Sequence, residues 1–526
     1  MLATLTALLF ALAIRAMVGL FGYSGEATPP LFGDFEAQRH WMEITINLPP
    51  TKWYVHGPEN DLLYWGLDYP PLSAHLAWLL GHASRAFGHP ALVALRTSRG
   101  HETPETRAFM RNTVLLCDAL VYCTAGAAFA AAATPRTSTR ARVALLLQLV
   151  MLPALVLTDH GHFQYNCVSL GLTLWAMTFA LGGRPLLCCV AFSLALNFKQ
   201  MCLYLAPAFF CYLLAGCLKA PTAAAKLLAV ARLGICVIGT FALCWLPFLG
   251  SIDDVLAIAR RVFPVERHLY EDKVANIWCT LSVLPVLKLK QTLPIPTLIR
   301  LALATTLVAL LPPCAILLAR PSRARFLLCA CACGLAFFLC SYQVHEKHIL
   351  LPLLPAALLA HRQPTLFAWL STSASFSLYP LLKRDGLTIP YAVMQAASLA
   401  IALSPLCAAP AGQRVLELPR LAAFSMGISL IGMLALHVVE ATIAPPTRYP
   451  DLHSVAFAAY SCAHFCLAYL ACVGAMVAGV MRGDGRHTHT PMDGVAAAVA
   501  DDTPAVSCVF EGLEAESGST VKAKRL

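Results

Sequence analysis

The chain has 526 residues, of which 58% are hydrophobic and 13% charged, with a mean hydropathy of +0.67 and a formal net charge of +10. A soluble globular chain carries about 25% charged residues, so this composition excludes a string of soluble domains and predicts an all-α polytopic membrane protein. The basic residues are scattered through short loops with no basic, aromatic-interleaved stripe, which argues against a nucleic-acid partner.

The first apolar run, "MLATLTALLFALAIRAMVGLF", lacks a basic start and carries Arg15 within it, so it reads as an uncleaved span over 2–21 rather than a removed leader. Directly after it, "LFGDFEAQRHWMEITINLPP" crowds Asp34, Glu36, Arg39, His40 and Glu43 together. Glu36, His40 and Glu43 fall at helical spacing, which a polar helix face explains. Asp34 follows Gly33 at a natural helix N-cap position, so capping and catalysis both stay open for it, with pattern alone favouring the cap. Further on, "GLDYPP" sets Asp68 before Tyr69, Pro70 and Pro71, where the prolines fix an extended, rigid turn. The moderately apolar stretch 71–87 is interrupted by His75, His82 and Arg85 and reads as an interfacial or re-entrant helix.

A spanning helix needs about 20 mostly apolar residues. Runs of that kind follow at 109–133, 143–158, 164–181, 185–198, 201–218, 227–249, 296–319, 325–342, 348–360, 364–382, 389–409, 421–441 and 452–481. With the first run they make about fourteen, of which 185–198 and 348–360 are the shortest. Alternate loops are rich in Arg and Lys: "PRTSTRAR", "KAPTAAAK", "RPSRAR", "GQRVLELPR" and "MRGDGRH". The positive-inside rule makes those loops and both termini cytosolic. All the polar clusters then share the opposite face, which carries two long loops, 22–108 and 250–295. Their Trp and Tyr residues, Trp65 and Tyr69 among them, suit either headgroup anchoring or stacking on sugar rings. Residues 1–482 read as one multispan domain. The tail 483–526 is polar and disordered by composition; it ends "VKAKRL", where Lys522 and Lys524 stand at dilysine-like spacing, a retrieval signal or a chance basic end.

Three further clusters carry chemistry. "TDHGHFQYN" supplies Asp159, His160, His162, Gln164 and Asn166 at a span end; "RRVFPVERHLYEDKVANIW" supplies Arg260, Arg261, Arg267 and Lys273; "YQVHEKHILLP" supplies His345, Glu346, Lys347 and His348. Ionisable residues this close to hydrocarbon are costly and are functional candidates. A cationic, sugar-compatible site with carboxylates at the bilayer edge suits transfer of a sugar from a lipid phosphate. Cations stabilise the departing phosphate, and a positioned carboxylate takes the proton of the incoming hydroxyl. Arg15 and Asp118, both inside apolar runs, either pair within the bundle or leave Arg15 to snorkel. The 21 cysteines sit mostly in apolar runs such as "LLCACACGLAFFLC" and offer no CxxC pair set at zinc spacing, so neither a metal nor any other cofactor is expected.

"GDFEAQRHWMEI", "LYWGLDYPPL", "DHGHFQYN", "EDKVANIW" and "QVHEK", in this order, resemble the dolichyl-phosphate-glucose-dependent glucosyltransferases of the endoplasmic reticulum. The likeness runs from the first span to "PPTRYPDLHSV". It implies a GT-C glycosyltransferase fold, an endoplasmic-reticulum membrane location with a lumenal site, and two lipid substrates. These are dolichyl-phosphate-glucose and a dolichyl-pyrophosphate-linked oligosaccharide. "EAQRHW" followed by "YWGLDYPP" looks like the member that adds the first glucose, in α-1,3 linkage, to the nine-mannose oligosaccharide. The resemblance makes Asp34 the general base, with Asp68 as second candidate or acceptor-positioning residue. It gives the donor phosphate to His345, Lys347, His348 and Arg261. Substrate contacts would come from Glu36, Arg39, His40, Trp65, Tyr69, Asp159, His160, His162 and Gln164. His348 stands where relatives often carry a small residue. The alternatives are the sister enzyme that adds the second glucose and a multispan transporter; the absence of an internal repeat speaks against the latter.

Overall fold

A computed structural model of the chain describes residues 2–134, 138–263, 273–283, 292–360, 363–404 and 420–481. Arg267, Tyr270, the tail 483–526 with its dilysine-like end, and most of "GQRVLELPR" lie outside the described residues. Everything regular among the described residues is helical; the one extended pairing is the isolated bridge between Gly57 and Asn60.

Among the described residues, seven helices are long and apolar enough to cross a membrane, and an eighth joins them if the bent pair Thr139–Val150 and Pro153–Phe163 is one span. Others of the expected runs are bent or short, for local physical reasons. Pro153 has no amide hydrogen to continue the helix from Val150, and the chain turns by 46° there. The expected run 348–360 becomes a 3₁₀ turn, Glu346–Ile349, followed by the short helix Leu350–Leu358. Helices Leu2–Val18, Asn166–Leu181, Pro185–Phe198 and Thr388–Ala402 are apolar but shorter than a full span. At 1.5 Å per residue, a 17-residue helix reaches only about 25 Å.

Helix α1 (Leu2–Val18) enters the bundle and leaves it into the polar segment 22–108. That segment is a folded layer, in which α2 (Gly33–Asn47) packs on α3 (Pro71–Ala86). Gly81 makes this close packing possible, since a Cβ there would meet Ile46 Cγ2 at 2.5 Å. Helix α3 starts with Pro71 in its first turn, a place where the missing amide hydrogen costs nothing. It lies between α2 and Pro185–Phe198.

Inside the bundle Arg15 does pair with Asp118: Nε donates to Oδ2 at 2.7 Å, and both side chains are fully buried. His160 joins at 2.8 Å through Nε2. Cys329, Cys331, Cys333 and Cys340 are buried in the helix Arg323–Cys340 as small apolar side chains.

Candidate active site

The site is set by a tight turn before α2. Gly25 and Gly33 have φ of +77° and +67°, and a Cβ on either would come within 2.0 Å and 2.6 Å of backbone atoms. Only glycine fits such a turn. The turn is tied down at both ends. Ser24 N–H donates to the His162 carbonyl at 3.0 Å, and Ser24 Oγ accepts the Asp34 N–H at 3.2 Å. Asp34 thus lies within the first helical turn, two residues past the observed cap residue Phe32 rather than at the cap expected for it. Phe32 precedes the helix, and no side chain caps it. The positive end of the helix dipole favours a carboxylate in this turn.

The Asp34 carboxylate points out of α2 onto three donors, all on one oxygen. Oδ2 accepts from Lys347 Nζ at 2.7 Å, His162 Nε2 at 2.9 Å and Gln164 Nε2 at 2.6 Å. Among the described residues Oδ1 has no protein partner, and the side chain is 22% exposed. Burial alone would raise its pKa, but the Lys347 charge and the His162 hydrogen bond hold it well below the usual carboxylate range. Lys347 is held above the usual lysine value in turn: burial works against its charge, and Asp34 more than offsets that. His162 Nδ1 meets Asp385 Oδ2 at 2.5 Å, so the ring stands between two carboxylates. An imidazolium donates at both of its nitrogens.

A second layer continues through Gln164. Its Oε1 accepts from Lys199 Nζ at 3.1 Å, and Lys199 also donates to Asn166 Oδ1 at 2.6 Å. Asn166 Nδ2 donates to Asp159 Oδ1 at 2.7 Å, while Asp159 Oδ2 accepts the Cys167 N–H at 2.6 Å. The ammonium of Lys199 stands 4.9 Å from the centre of the Tyr69 ring. Burial, and then the Lys347 charge, push the Lys199 pKa down to about 8. Gln38, Met42, Tyr69, Ser73, Gln164 and Lys199 line a cleft beside this layer. Gln38 lies one helical turn after Asp34, so α2 presents both on one side.

Glu36, Arg39 and His40 do not share that side. At about 100° per residue they fall with Glu43 on the opposite face of α2. All four are buried in a closed network. Arg39 grips Glu36 bidentately at 2.6 Å, meets Glu43 at 2.7 Å, and donates to the Leu92 carbonyl at 2.8 Å and Ser98 Oγ at 2.5 Å. Tyr64 donates to Glu36 at 2.7 Å, and His40 meets Glu43 at 3.1 Å. Where substrate contacts were expected, the geometry gives an ionic knot that holds the 22–108 layer together.

The other expected residues divide in the same way. Arg261 donates to the carbonyls of Gly66 at 2.9 Å and Leu67 at 3.2 Å, and Gln200 donates to that of Asp68 at 3.2 Å. Both therefore brace the "GLDYPP" turn, which holds Asp68 half-buried and Tyr69 beside Lys199. Trp65 donates its indole N–H to the Leu31 carbonyl, and its own carbonyl accepts from Trp41 at 2.9 Å. His348 is buried, and its Nδ1 accepts the His345 N–H at 3.2 Å and faces the Tyr204 hydroxyl at 3.3 Å. Burial, then the charges of His345, Lys199 and Lys347, push its pKa well down, so the ring is neutral. Asp159 and His160 are committed inside the bundle, to Asn166 and Asp118. Of the residues expected from sequence, Asp34, His162, Gln164 and Lys347 meet directly.

Lys199, Asp385 and Gln38 belong to the candidate site without having been singled out for it, whereas Asn166 was named with its cluster. Lys199 carried a usable signal, a lone cation in "NFKQ" between two apolar runs. Asp385 had none, being 223 residues from the His162 it meets. One group of three thiols, Cys314, Cys329 and Cys333, has its sulfurs within 4.8 Å of one another. It lies on helices apart from the Asp34 cluster.

Residues 10–471 match the family model described as the ALG6, ALG8 glycosyltransferase family. This chain belongs to that family. Among similar proteins, "Dolichyl pyrophosphate Man9GlcNAc2 alpha-1,3-glucosyltransferase" of Gallus gallus is 42% identical over 484 residues, covering 88% of this chain and 94% of the relative. The Mus musculus protein of the same name is 42% identical over 476 residues, covering 87% and 93%. An Arabidopsis thaliana protein whose name adds "Probable" is 44% identical over 458 residues, covering 84% of each. The stretch matched to the ALG6, ALG8 family spans every residue of the Asp34 cluster, from Asp34 itself to Asp385.

Proposed function

We propose that this ALG6, ALG8 family chain is the α-1,3-glucosyltransferase that adds the first glucose to Man9GlcNAc2-PP-dolichol, with dolichyl-phosphate-glucose as donor. The observation that carries the mechanism is the asymmetry of Asp34: three donors on Oδ2, and Oδ1 open. A carboxylate fixed by one oxygen keeps the other for the proton of an incoming hydroxyl, and its orientation is set before substrate arrives.

In the proposed reaction the acceptor mannose hydroxyl gives its proton to Asp34 Oδ1. Its oxygen forms the new bond to the anomeric carbon of glucose as that carbon's bond to the phosphate oxygen breaks. The electron pair leaves on dolichyl phosphate, and the anomeric centre inverts with no covalent enzyme intermediate. Lys347 and the His162–Asp385 pair hold the carboxylate ionised and aimed. Its low resting pKa keeps Asp34 ionised when the acceptor arrives, and it takes the proton late, as bond formation to the anomeric carbon makes the hydroxyl more acidic. Charge accumulates on the departing phosphate, and nearby cations stabilise it most at the transition state.

The same reading takes the bundle as a GT-C fold of about fourteen membrane segments, the shorter apolar helices counted among them. It takes residues 1–482 as one domain with 22–108 and 250–295 facing the lumen of the endoplasmic reticulum, and 483–526 as a cytosolic tail. Tyr69 and Asp68 border the acceptor, with Asp68 positioning it.

The test uses the purified chain in lipid nanodiscs with dolichyl-phosphate-glucose and the Man9GlcNAc2 lipid. Wild-type protein transfers glucose to this acceptor and not to one already carrying a glucose. Asp34→Asn loses about 10²–10⁴ in rate. Near-normal turnover by that variant excludes Asp34 as base, and transfer only to the monoglucosylated lipid moves the activity to the second glucose.

A further inference from the structure

We propose that the ammonium of Lys199, and not that of Lys347, receives the dolichyl phosphate group. This rests on the function proposed above and goes further by naming the phosphate ligand.

The case begins with partners. Lys347 is already paired with a carboxylate, Asp34, at 2.7 Å and sits against His162 at 3.1 Å. Drawing it to a phosphate would break the contact that keeps the base ionised. Lys199 is different. It is 8% exposed, and among the described residues its contacts are neutral: two amide oxygens and the face of Tyr69. A buried cation is expensive unless an anion meets it. A lysine held by neutral oxygens at the wall of a cleft is built to take an anion from that cleft.

Geometry then fixes where that anion sits relative to the base. Gln164 bridges the two: its Nε2 holds Asp34 at 2.6 Å, and its Oε1 holds Lys199 at 3.1 Å. With the amide's own bond lengths, the Asp34 carboxylate oxygen and the Lys199 nitrogen lie no more than about 8 Å apart. Inverting glycosidases, which carry out the analogous displacement, hold their two carboxyl groups about 6.5–9.5 Å apart. The Gln164 bridge keeps the Lys199 ammonium within that reach of the Asp34 carboxylate. It also explains why the cluster contains a glutamine with both ends occupied. The depressed pKa of Lys199 agrees: burial and the Lys347 charge outweigh the pull of Asp159 and Asp34, and an arriving phosphate adds counter-charge.

The class of ligand follows. The donor is a phosphodiester with one negative charge, and the released dolichyl phosphate carries more. A single ammonium at the wall of the cleft binds the product phosphate more tightly than the diester, which is how it favours departure.

The test measures binding of dolichyl phosphate to full-length protein in nanodiscs, with neutral dolichol as control, alongside transfer kinetics. Lys199→Gln is expected to weaken dolichyl phosphate binding and raise the donor KM by about 10–150-fold, the range of one charge-assisted hydrogen bond. The acceptor KM should move by less than about threefold. Lys347→Gln is expected to lower kcat while leaving dolichyl phosphate affinity within about threefold. Unchanged phosphate affinity in Lys199→Gln overturns the proposal, as does the larger affinity loss appearing in Lys347→Gln. Should Lys199→Gln fail to fold, the Lys347→Gln measurement decides alone. Wild-type protein that binds dolichyl phosphate through Lys199 yet moves no glucose from dolichyl-phosphate-glucose would sink the glucosyltransfer reading and leave the anion site standing.

Discussion

Arg39→Ala separates a structural ionic knot from a substrate contact. Arg39 makes five hydrogen bonds, three of them to Glu36 and Glu43, and its side chain is fully buried. Truncation leaves two buried carboxylates facing each other without their cation. Removing one partner of a buried pair costs about 3–5 kcal/mol. The upper part of that range is tempered here, because Glu36 keeps Tyr64 and Glu43 keeps Ser98 and the Arg96 N–H. Burial works against the Glu43 charge, but His40 and Arg39 hold its pKa down to about 2, so Glu43 is ionised in the intact knot. A loss near 3 kcal/mol corresponds to a fall in melting temperature of roughly 3 °C in a chain of this size, at about 2 cal/mol/K of unfolding entropy per residue. The assay is thermal unfolding in detergent and in nanodiscs, followed by kinetics on the surviving folded fraction, which should show an ordinary acceptor KM. A second variant sharpens it: Glu36→Gln, Arg39→Met and Glu43→Gln together remove every charge of the knot and should recover more than half of the lost stability. The reasoning fails if Arg39→Ala melts like wild type while its acceptor KM rises tenfold or more. Arg39 would then reach the oligosaccharide.

The pH dependence and the second carboxylate give two further expectations. The Lys199 pKa is depressed to about 8, so the cation is present below that value and lost as pH rises through it. Donor kcat/KM, which reports the free enzyme, should fall above about pH 8, and Lys199→Arg should carry that limb beyond the working range because arginine stays protonated. A flat profile to pH 10 in wild type contradicts this. Asp385→Asn removes the carboxylate from His162 Nδ1 without touching Asp34. It should lower kcat by about 10–150-fold with donor KM nearly unchanged, and an equal rise in KM would instead place Asp385 in substrate binding.

Apolar length and loop charge made the membrane class and most helix positions readable in advance. Pro104–Ala133, Ala223–Phe248, Ile295–Ala319 and Leu452–Met481 all fall on runs picked from hydropathy. Breaks were harder, because they depend on single residues inside greasy runs. Pro153 bends one expected span, and "HEKHILLP" winds into a 3₁₀ turn before a short helix. In the site, the motifs named Asp34, His162, Gln164 and Lys347, which sit at element ends where polar residues stand out from apolar neighbours. Facing was lost. Spacing alone places Glu36, Arg39, His40 and Glu43 on one helix face, but only packing tells whether that face meets solvent, sugar or the protein's own interior. Long-range pairings such as His162 with Asp385 leave no local trace at all.

Asp34 is made early and its partners late. It leaves the ribosome just behind the first helix, whereas Lys347 follows 313 residues later and Asp385 later still. At about 5–20 residues per second, the carboxylate waits for something like 15–60 s of translation before Lys347 exists to pair with it. A nascent chain that already carries Asp34 therefore lacks the groups that orient it. The Asp34 cluster closes only when the last third of the polypeptide has been threaded and docked, so truncated products of stalled synthesis cannot assemble it.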